Sequence, residues 1–194
     1  RISATAKTTI TKTTFLNNVA SVGGAFALIP TNYGKSKTTG GNNAASTTDS
    51  ISGEAENRQK LILESSEFVE NIASSATTSD IQNDGGGIFM FEANSKIKNV
   101  LFTKQSAKHF GAGMFAKMSV VDIQDSQFIE NTITDIGGGG GIGCLSSEFI
   151  ITNLNVTQNV VNKQSNGGGA SFTFCSPIIY NSLWSNNRAT GGKG

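Results

Sequence analysis

Four stretches of twenty residues align without a gap: GGIFMFEANSKIKNVLFTKQ (86–105), AGMFAKMSVVDIQDSQFIEN (112–131), GGIGCLSSEFIITNLNVTQN (140–159) and GGASFTFCSPIIYNSLWSNN (168–187). In each, a glycine corner precedes a small or apolar residue. The aromatic position follows 14 residues after that residue: Phe102, Phe128, Val156 and Trp184 follow Ile88, Met114, Ile142 and Ala170. An amide comes three residues later. Working outward, the same pairing recurs at Phe15/Asn18 and Phe68/Asn71, which gives six amides in all: Asn18, Asn71, Gln105, Asn131, Asn159 and Asn187. Five residues before each aromatic position stands Ile or Leu, namely Ile10, Leu63, Ile97, Ile123, Ile151 and Ile179. The length variation lies between amide and glycines. One side of the repeat is fixed and another is a variable loop.

A period of 26–28 residues with this content reads as one turn of a solenoid. Val121 and Ile123, or Phe149 and Ile151, alternate with polar neighbours in the period of two that a half-buried strand requires. Ile123 and Phe128 are five apart, so they cannot both face inward from one straight strand, and a bend must separate them. Asn99, Asp125, Asn153 and Asn181 occupy that bend, and Asn and Asp tolerate left-handed backbone. The amide makes a second corner. A third strand follows the glycines, with Ala25 and Ala27, Ile88 and Met90, Met114 and Ala116, Ile142 and Cys144, and Ala170 and Phe172 expected to face inward. Stacked turns put equivalents about 4.8 Å apart, so apolar columns become core and amide columns become hydrogen-bonded ladders. The expected fold is an all-β, right-handed parallel β-helix of about six turns. Clustered glycines and the lack of an i, i+3, i+4 pattern argue against helices.

Residues 30–60 interrupt the register with almost no apolar residues, and they read as an exposed insertion loop. A degenerate extra turn, echoing the glycine corner at Gly40-Gly41-Asn42, is the alternative. The whole chain, 1–194, reads as a single β-helix segment of a longer protein, because it starts without Met and stops inside a repeat motif.

The paired motifs resemble the GGA[ILV] and F-x-x-N repeats of polymorphic outer membrane proteins and related autotransporter or adhesin passengers. Gly23-Gly24-Ala25 and Gly168-Gly169-Ala170 carry GGA itself, and the other corners carry Ile or Met in its place. The resemblance implies a pectin-lyase-like β-helix that is extracellular or at a cell surface, with an adhesive or structural role. Similar repeats occur in large extracellular proteins of eukaryotic microbes.

Composition narrows the partners. With 15 Lys and Arg against 14 Asp and Glu, the formal net charge is +1. A nucleic-acid binder needs a basic stripe, and an anionic-membrane binder needs a basic amphipathic helix; neither is present. No apolar run is long enough to span a membrane. The partners expected are flanking repeats or other copies stacking at the open ends, together with surface glycans or surface proteins.

The residues with chemical side chains mostly find architectural explanations. Asp122 and Asp125 are the closest acidic pair, with Glu130 further on, but Asp125 falls in the turn column. Glu92, Asp122 and Glu148 on adjacent turns form no evident carboxylate cluster of the kind glycosidases need. His109, the single histidine, lies in a variable loop where no spacing supplies a triad or metal partner. The Gly137–Gly141 run lacks the Lys and Ser/Thr of a phosphate loop and the Asp of a calcium repeat, so a flexible corner is expected. No catalytic, cofactor or metal-binding residue is expected. Cys144 shares an inward column and reads as a buried thiol; Cys175 does not stack on it, and a disulfide between them is the lesser alternative. Trp184 reads as core in place of Phe rather than as a sugar platform. Asn155-Val156-Thr157 is an N-glycosylation sequon whose Asn should point outward. Two functions follow: a non-catalytic structural or adhesive surface module, or a carbohydrate-active or carbohydrate-binding β-helix.

Overall fold

The computed structural model describes residues 7–29, 58–74, 84–163 and 166–190. Within them every regular element is a strand, and all pairing is parallel between successive turns, as a parallel β-helix solenoid requires. Four strands make a turn. The longest sheet stacks Lys7–Thr11, Gln59–Glu64, Ala93–Lys98, Val120–Gln124, Glu148–Thr152 and Ser176–Tyr180. An aromatic sheet follows the bend: Thr14–Leu16, Glu67–Val69, Leu101–Thr103, Gln127–Ile129, Asn155–Thr157 and Leu183–Ser185. Next comes a sheet of two-residue strands, from Val19–Ala20 to Arg188–Ala189, and then a five-stranded glycine sheet from Phe26–Leu28 to Ala170–Thr173. The two-residue strands are too short to show an alternation, so the sequence suggests three strands per turn rather than four.

The register makes equivalent residues into columns. Ile97, Ile123 and Ile151 are buried in one; Phe68, Phe102, Phe128 and Val156 fill the next. Rings in the phenylalanine column stack with centroids 4.6, 4.8 and 4.5 Å apart from Phe15 to Phe128. That spacing is the distance between neighbouring strands, so the sheet itself places the rings for offset stacking.

The bends are set by three columns of left-handed backbone. Lys12, Ser65, Asn99, Asp125, Asn153 and Asn181 form the first, with φ between 45° and 53° in all but Asn153, at 54°. Asn17, Glu70, Lys104, Glu130, Gln158 and Asn186, one residue before each amide, form the second. Glu92, Met118, Ser146 and Phe174 form the third, between the glycine sheet and the long sheet.

Asn18, Asn71, Gln105, Asn131 and Asn159 each donate a backbone N–H to the side-chain oxygen of the amide on the following turn, which makes the turn-to-turn ladder. Asn131 N–H and Nδ2 reach Asn159 Oδ1 at 3.0 and 2.8 Å, and Asn159 makes the same pair with Asn187 at 3.0 and 2.9 Å. Asn18 donates to Asn71, and Asn71 to Gln105, in the same way. Gln105, one methylene longer, accepts from Asn71 at Oε1 and donates its backbone N–H to Asn131 Oδ1, but turns its Nε2 onto the Phe68 and Thr103 carbonyls. The side-chain amides of Asn71, Asn131, Asn159 and Asn187 also cap the carbonyl of the aromatic-column residue on the preceding turn. All four interior amides are fully buried, where an unsatisfied donor would be costly.

Two expectations of the sequence are corrected. In the first turn the inward residues of the glycine sheet are Phe26 and Leu28, not Ala25 and Ala27, because Phe26 pairs with Ile88 and Leu28 with Met90. Gly23 carries the positive φ that Gly85 carries one turn on, so Gly23-Gly24-Ala25 matches Gly85-Gly86-Gly87 and the alignment by GGA slips by one residue. Of the insertion placed at 30–60, Gln59 and Lys60 begin a strand of the long sheet, and 30–57 lie outside the described residues.

The second correction concerns the cysteines, which form a disulfide with Cα atoms 6.5 Å apart. Cys144 lies in the inward column with Met90, Ala116 and Phe172. Cys175 lies elsewhere, in the column of Ala93, Ser119 and Ser147, where each N–H is taken by the next hydroxyl: Ala93 N–H by Ser119 Oγ at 3.1 Å and Ser119 N–H by Ser147 Oγ at 2.9 Å. Cys175 Sγ replaces that hydroxyl above Ser147 N–H, at 3.4 Å. The bond runs diagonally over 31 residues, one turn plus three, and one turn earlier the same diagonal brings Ser147 Oγ within 3.4 Å of Ala116 O. Direct stacking was therefore the wrong criterion for pairing.

Replacing Asn131 by Ala orphans Gln105 N–H, Asn159's acceptor contact and the Phe102 carbonyl, and should cost about 2–4 kcal/mol. Asn18→Ala, at the ladder's end, should cost less than half as much; urea denaturation of the two variants makes the comparison. Joint Cys144→Ser and Cys175→Ser substitution should remove roughly 3–4 kcal/mol, as expected for a closed loop of this length. Hydrogen exchange in residues 170–190 should then accelerate while residues 93–131 keep their protection.

Candidate functional site

The amide-to-glycine segment is where turns differ, and it holds the most perturbed group. Asp84 precedes the left-handed Gly85, and its side chain is only 4 % exposed. Its Oδ1 accepts the Phe110 N–H at 3.1 Å and lies 3.9 Å from His109 Nδ1. Burial pushes the carboxyl from its ordinary 3.8 up to about 7, against the Phe110 hydrogen bond and the positive charge of Lys117, which both pull it down. Lys117 itself sits over the Phe91 ring, 5.6 Å from its centroid.

An aromatic cluster lies on the outer side of the glycine sheet beside this carboxylate. Phe89 and Phe115 are buried there with Phe91, and Phe110 stacks on Phe115 at 5.6 Å. Gly143 leaves room for it, since a Cβ at that position would come 2.8 Å from the Phe115 ring. The glycine run is close-packed rather than a flexible corner. Gly138 bridges Phe110 and Asn166 on the adjacent turns, and Gly139 turns the chain at φ 72°.

His109, read from the sequence as a loop residue for which no spacing supplies a triad or metal partner, is placed beside Asp84. Sequence reasoning missed Asp84. Its one signal is position: it is the single acidic residue immediately before a positive-φ glycine, where the other turns place Val22, Phe110, Gly138 and Asn166. Among the described residues no group of three metal-ligating side chains gathers.

A second candidate is a shallow polar cleft at the first bend, lined by Glu64, Ser65, Lys98, Asn99 and Asp125. Ser65, Asn99 and Asp125 belong to one turn column, and Asn99 Nδ2 donates to Ser65 Oγ at 3.2 Å. Lys98 lies 3.9 Å from Asp125, whose other oxygen accepts Asn153 Nδ2 at 2.9 Å. Asp125 is thereby a turn residue within a hydrogen-bonded column. Asp122 accepts from Gln124 Nε2, and Glu92 and Glu130 are left-handed turn residues. Glu148 pairs in register with Val120 and Ser176 on the outer face of the long sheet, so these carboxylates are spread along the rod rather than gathered.

Asn155 pairs in register with Gln127 and Leu183, and its neighbour Val156 is fully buried, so its side chain stands on the outer face of the aromatic sheet. Trp184 packs, half-buried, against the core beside Val156. Among the described residues no helix is long and apolar enough to cross a membrane. Compared with protein-family profiles, curated proteins and solved structures, the chain matches none.

The Asp84 environment fixes a pH response. Its folded-state pKa is raised, so its stabilising contribution is complete below about pH 4 and is lost as pH rises through about 7. The displacement corresponds to on the order of 4 kcal/mol. Asp84→Asn keeps an acceptor for Phe110 N–H, and should raise stability at pH 8 and flatten the profile between pH 4 and 7 in thermal melts.

Proposed function

We propose that this chain is a non-catalytic structural or adhesive module of an extracellular surface. It is a stiff rod that presents its outer columns and loops to surface glycans or surface proteins, with flanking repeats or other copies as neighbours at its ends. The observation that carries this reading is the fate of its polar side chains. The amides bond one another from turn to turn, and at the bends Asn99 donates to Ser65 and Asn153 to Asp125, so the recurrent polar side chains serve the solenoid. The Cys144–Cys175 disulfide supports an oxidising compartment. The resemblance to adhesin-type repeats supports surface display. In a eukaryotic secretory pathway, the outward Asn155 would carry a glycan.

A second reading rests on the polar cleft of Glu64, Lys98, Asn99 and Asp125, which spans three turns and offers donors and acceptors to a carbohydrate. Carboxylates two rungs apart stand at about 9.6 Å by strand spacing alone, near the upper limit for an inverting pair, and Lys98 lies between them. One experiment separates the readings. Immobilised chain is offered a glycan and polyuronate panel, with retention and depolymerisation both measured. Retention without cleavage is expected. Cleavage that disappears in Asp125→Asn would replace the structural reading with an enzymatic one.

A further inference from the structure

The bend between the long sheet and the aromatic sheet carries an exposed polar column along the side of the rod. Lys12, Ser65, Asn99, Asp125, Asn153 and Asn181 form it, each exposed and each with left-handed backbone. The residue before each, from Thr11 through Glu64 and Lys98 to Tyr180, pairs in direct register with its equivalent on the next turn. Every side chain in this track, two residues wide, can hydrogen-bond, and none belongs to an aliphatic residue. The track advances about 4.8 Å per turn. That is close to the advance per sugar of an extended β-linked pyranose chain. We propose that the track binds a neutral, extended β-linked polysaccharide lengthwise, one sugar to each turn. The inference rests on the glycan-display reading above, and it names the class of glycan and where it lies.

The backbone of the track is already committed to the solenoid. The N–H groups of Ser65, Asn99, Asp125 and Asn153 donate to the carbonyls of Lys98, Gln124, Thr152 and Tyr180 at 3.0, 3.1, 3.1 and 3.2 Å. These bonds leave no strand edge along the track for a peptide to extend, so recognition falls to side chains. The side chains are held in place but not exhausted. Asn99 Nδ2 donates to Ser65 Oγ at 3.2 Å, and Asn153 Nδ2 to Asp125 Oδ1 at 2.9 Å. Each bond uses one of two amide hydrogens and orients the amide. The second hydrogen and the Oδ1 of each asparagine remain for a ligand, with the Ser65 hydroxyl hydrogen beside them. Less ordering entropy is then lost on binding.

The charges on the track select a neutral ligand. The shallow cleft of Glu64, Ser65, Lys98, Asn99 and Asp125 occupies three interior turns of it, with Lys98 Nζ 3.9 Å from Asp125 Oδ2. Glu64 and Lys98 are direct neighbours across the sheet. A polyanion charged at every sugar would meet Glu64 and Asp125 on either side of Lys98, and a polycation would meet Lys98. Hydroxyl groups suit all three, because they donate to carboxylates and accept from an ammonium. The second bend offers no such track. Leu16, Val69 and Ile129 precede its left-handed residues, and Glu70, Lys104 and Glu130 carry charge on three successive turns, with Lys104 3.7 Å from Glu70. A polyol chain laid there would desolvate ion pairs and gain fewer hydrogen bonds.

Binding isotherms of the whole chain with β-1,4-glucan oligosaccharides, from disaccharide to hexasaccharide, test the proposal. Affinity should rise roughly fivefold with each added sugar, the effect of one net hydrogen bond per turn. Oligogalacturonates and chitosan oligomers of the same lengths should bind more weakly. Ser65→Lys puts a long cation into the cleft at a bend position where Lys12 shows that the backbone accepts lysine. Lys98→Met keeps the aliphatic stem and removes the donor. Each should weaken hexasaccharide binding roughly tenfold, while Lys104→Met on the other bend leaves it unchanged. Thermal melts check that the variants fold. Absence of glucan binding, affinity independent of length, preference for the charged oligomers, or undiminished binding by Lys98→Met would each overturn the proposal. Retention of other glycans or of surface proteins by a chain that fails these tests would leave the display reading standing, so the two fail separately.

Discussion

Every turn of this molecule lies on its own equivalent, about 4.8 Å from the next, and that in-register parallel stacking governs which side chains the fold accepts. A residue must be compatible with a neighbour in the same environment. Phenylalanines satisfy this by offset stacking and isoleucines by dispersion. Amides satisfy it because each has both a donor and an acceptor to pass along the column. Charges do not stack on themselves without cost, and their placement reflects it. Lys104 stands between Glu70 and Glu130 in the second turn column, Lys96 pairs in register with Asp122, and Lys163 holds Asp135 at 2.7 Å. The Lys163 ammonium also keeps the Asp135 carboxyl below its ordinary range. Lys7 opposite Lys60 is a like-charged contact, and it lies on the outer face near one end.

The same constraint explains backbone that local preference would not choose. Among the described residues, sixteen other than glycine have positive φ, and all of them fall in the three corner columns. Only six are Asn or Asp; the rest include Lys12, Glu92, Met118 and Phe174. Left-handed backbone costs roughly 1–2 kcal/mol at such residues. It persists because a turn that bent elsewhere would lose its register with both neighbours, and with it the ladder bonds and the burial of the columns on either side. Corner geometry is thus imposed from above and below rather than by the residue that adopts it.

What could be read from the sequence follows from this division. Columns declare themselves by recurrence, so the isoleucine, aromatic and amide positions and the Asn/Asp bends were legible, and with them the solenoid. Features that depend on one turn only were not. The first glycine corner was misaligned because Ala25 imitates the small residue that ends the other corners, while the backbone aligns by the positive φ of Gly23. The disulfide was discounted because recurrence looks for contacts within a column, whereas Cys144 and Cys175 bridge two columns on adjacent turns. Asp84 has no equivalents, and its burial depends on how the loop carrying His109 and Phe110 folds across the outer face of the glycine sheet.

Specialisation in this architecture is therefore confined to what the columns leave free. Inward and corner positions answer to both neighbouring turns, so a change there propagates along the rod. The segment between amide and glycines answers to fewer constraints, and its successive turns carry different chemistry: a buried carboxylate at Asp84, an imidazole and a ring at His109 and Phe110, and an ion pair at Asp135 and Lys163. The last described turn carries a second kind of departure on its outer row. There Phe174 is 87 % exposed in a left-handed corner, a position that neither local conformational preference nor solvation favours. The stacking of the corner column accounts for the first of those penalties, since Glu92, Met118 and Ser146 hold the same left-handed geometry on earlier turns.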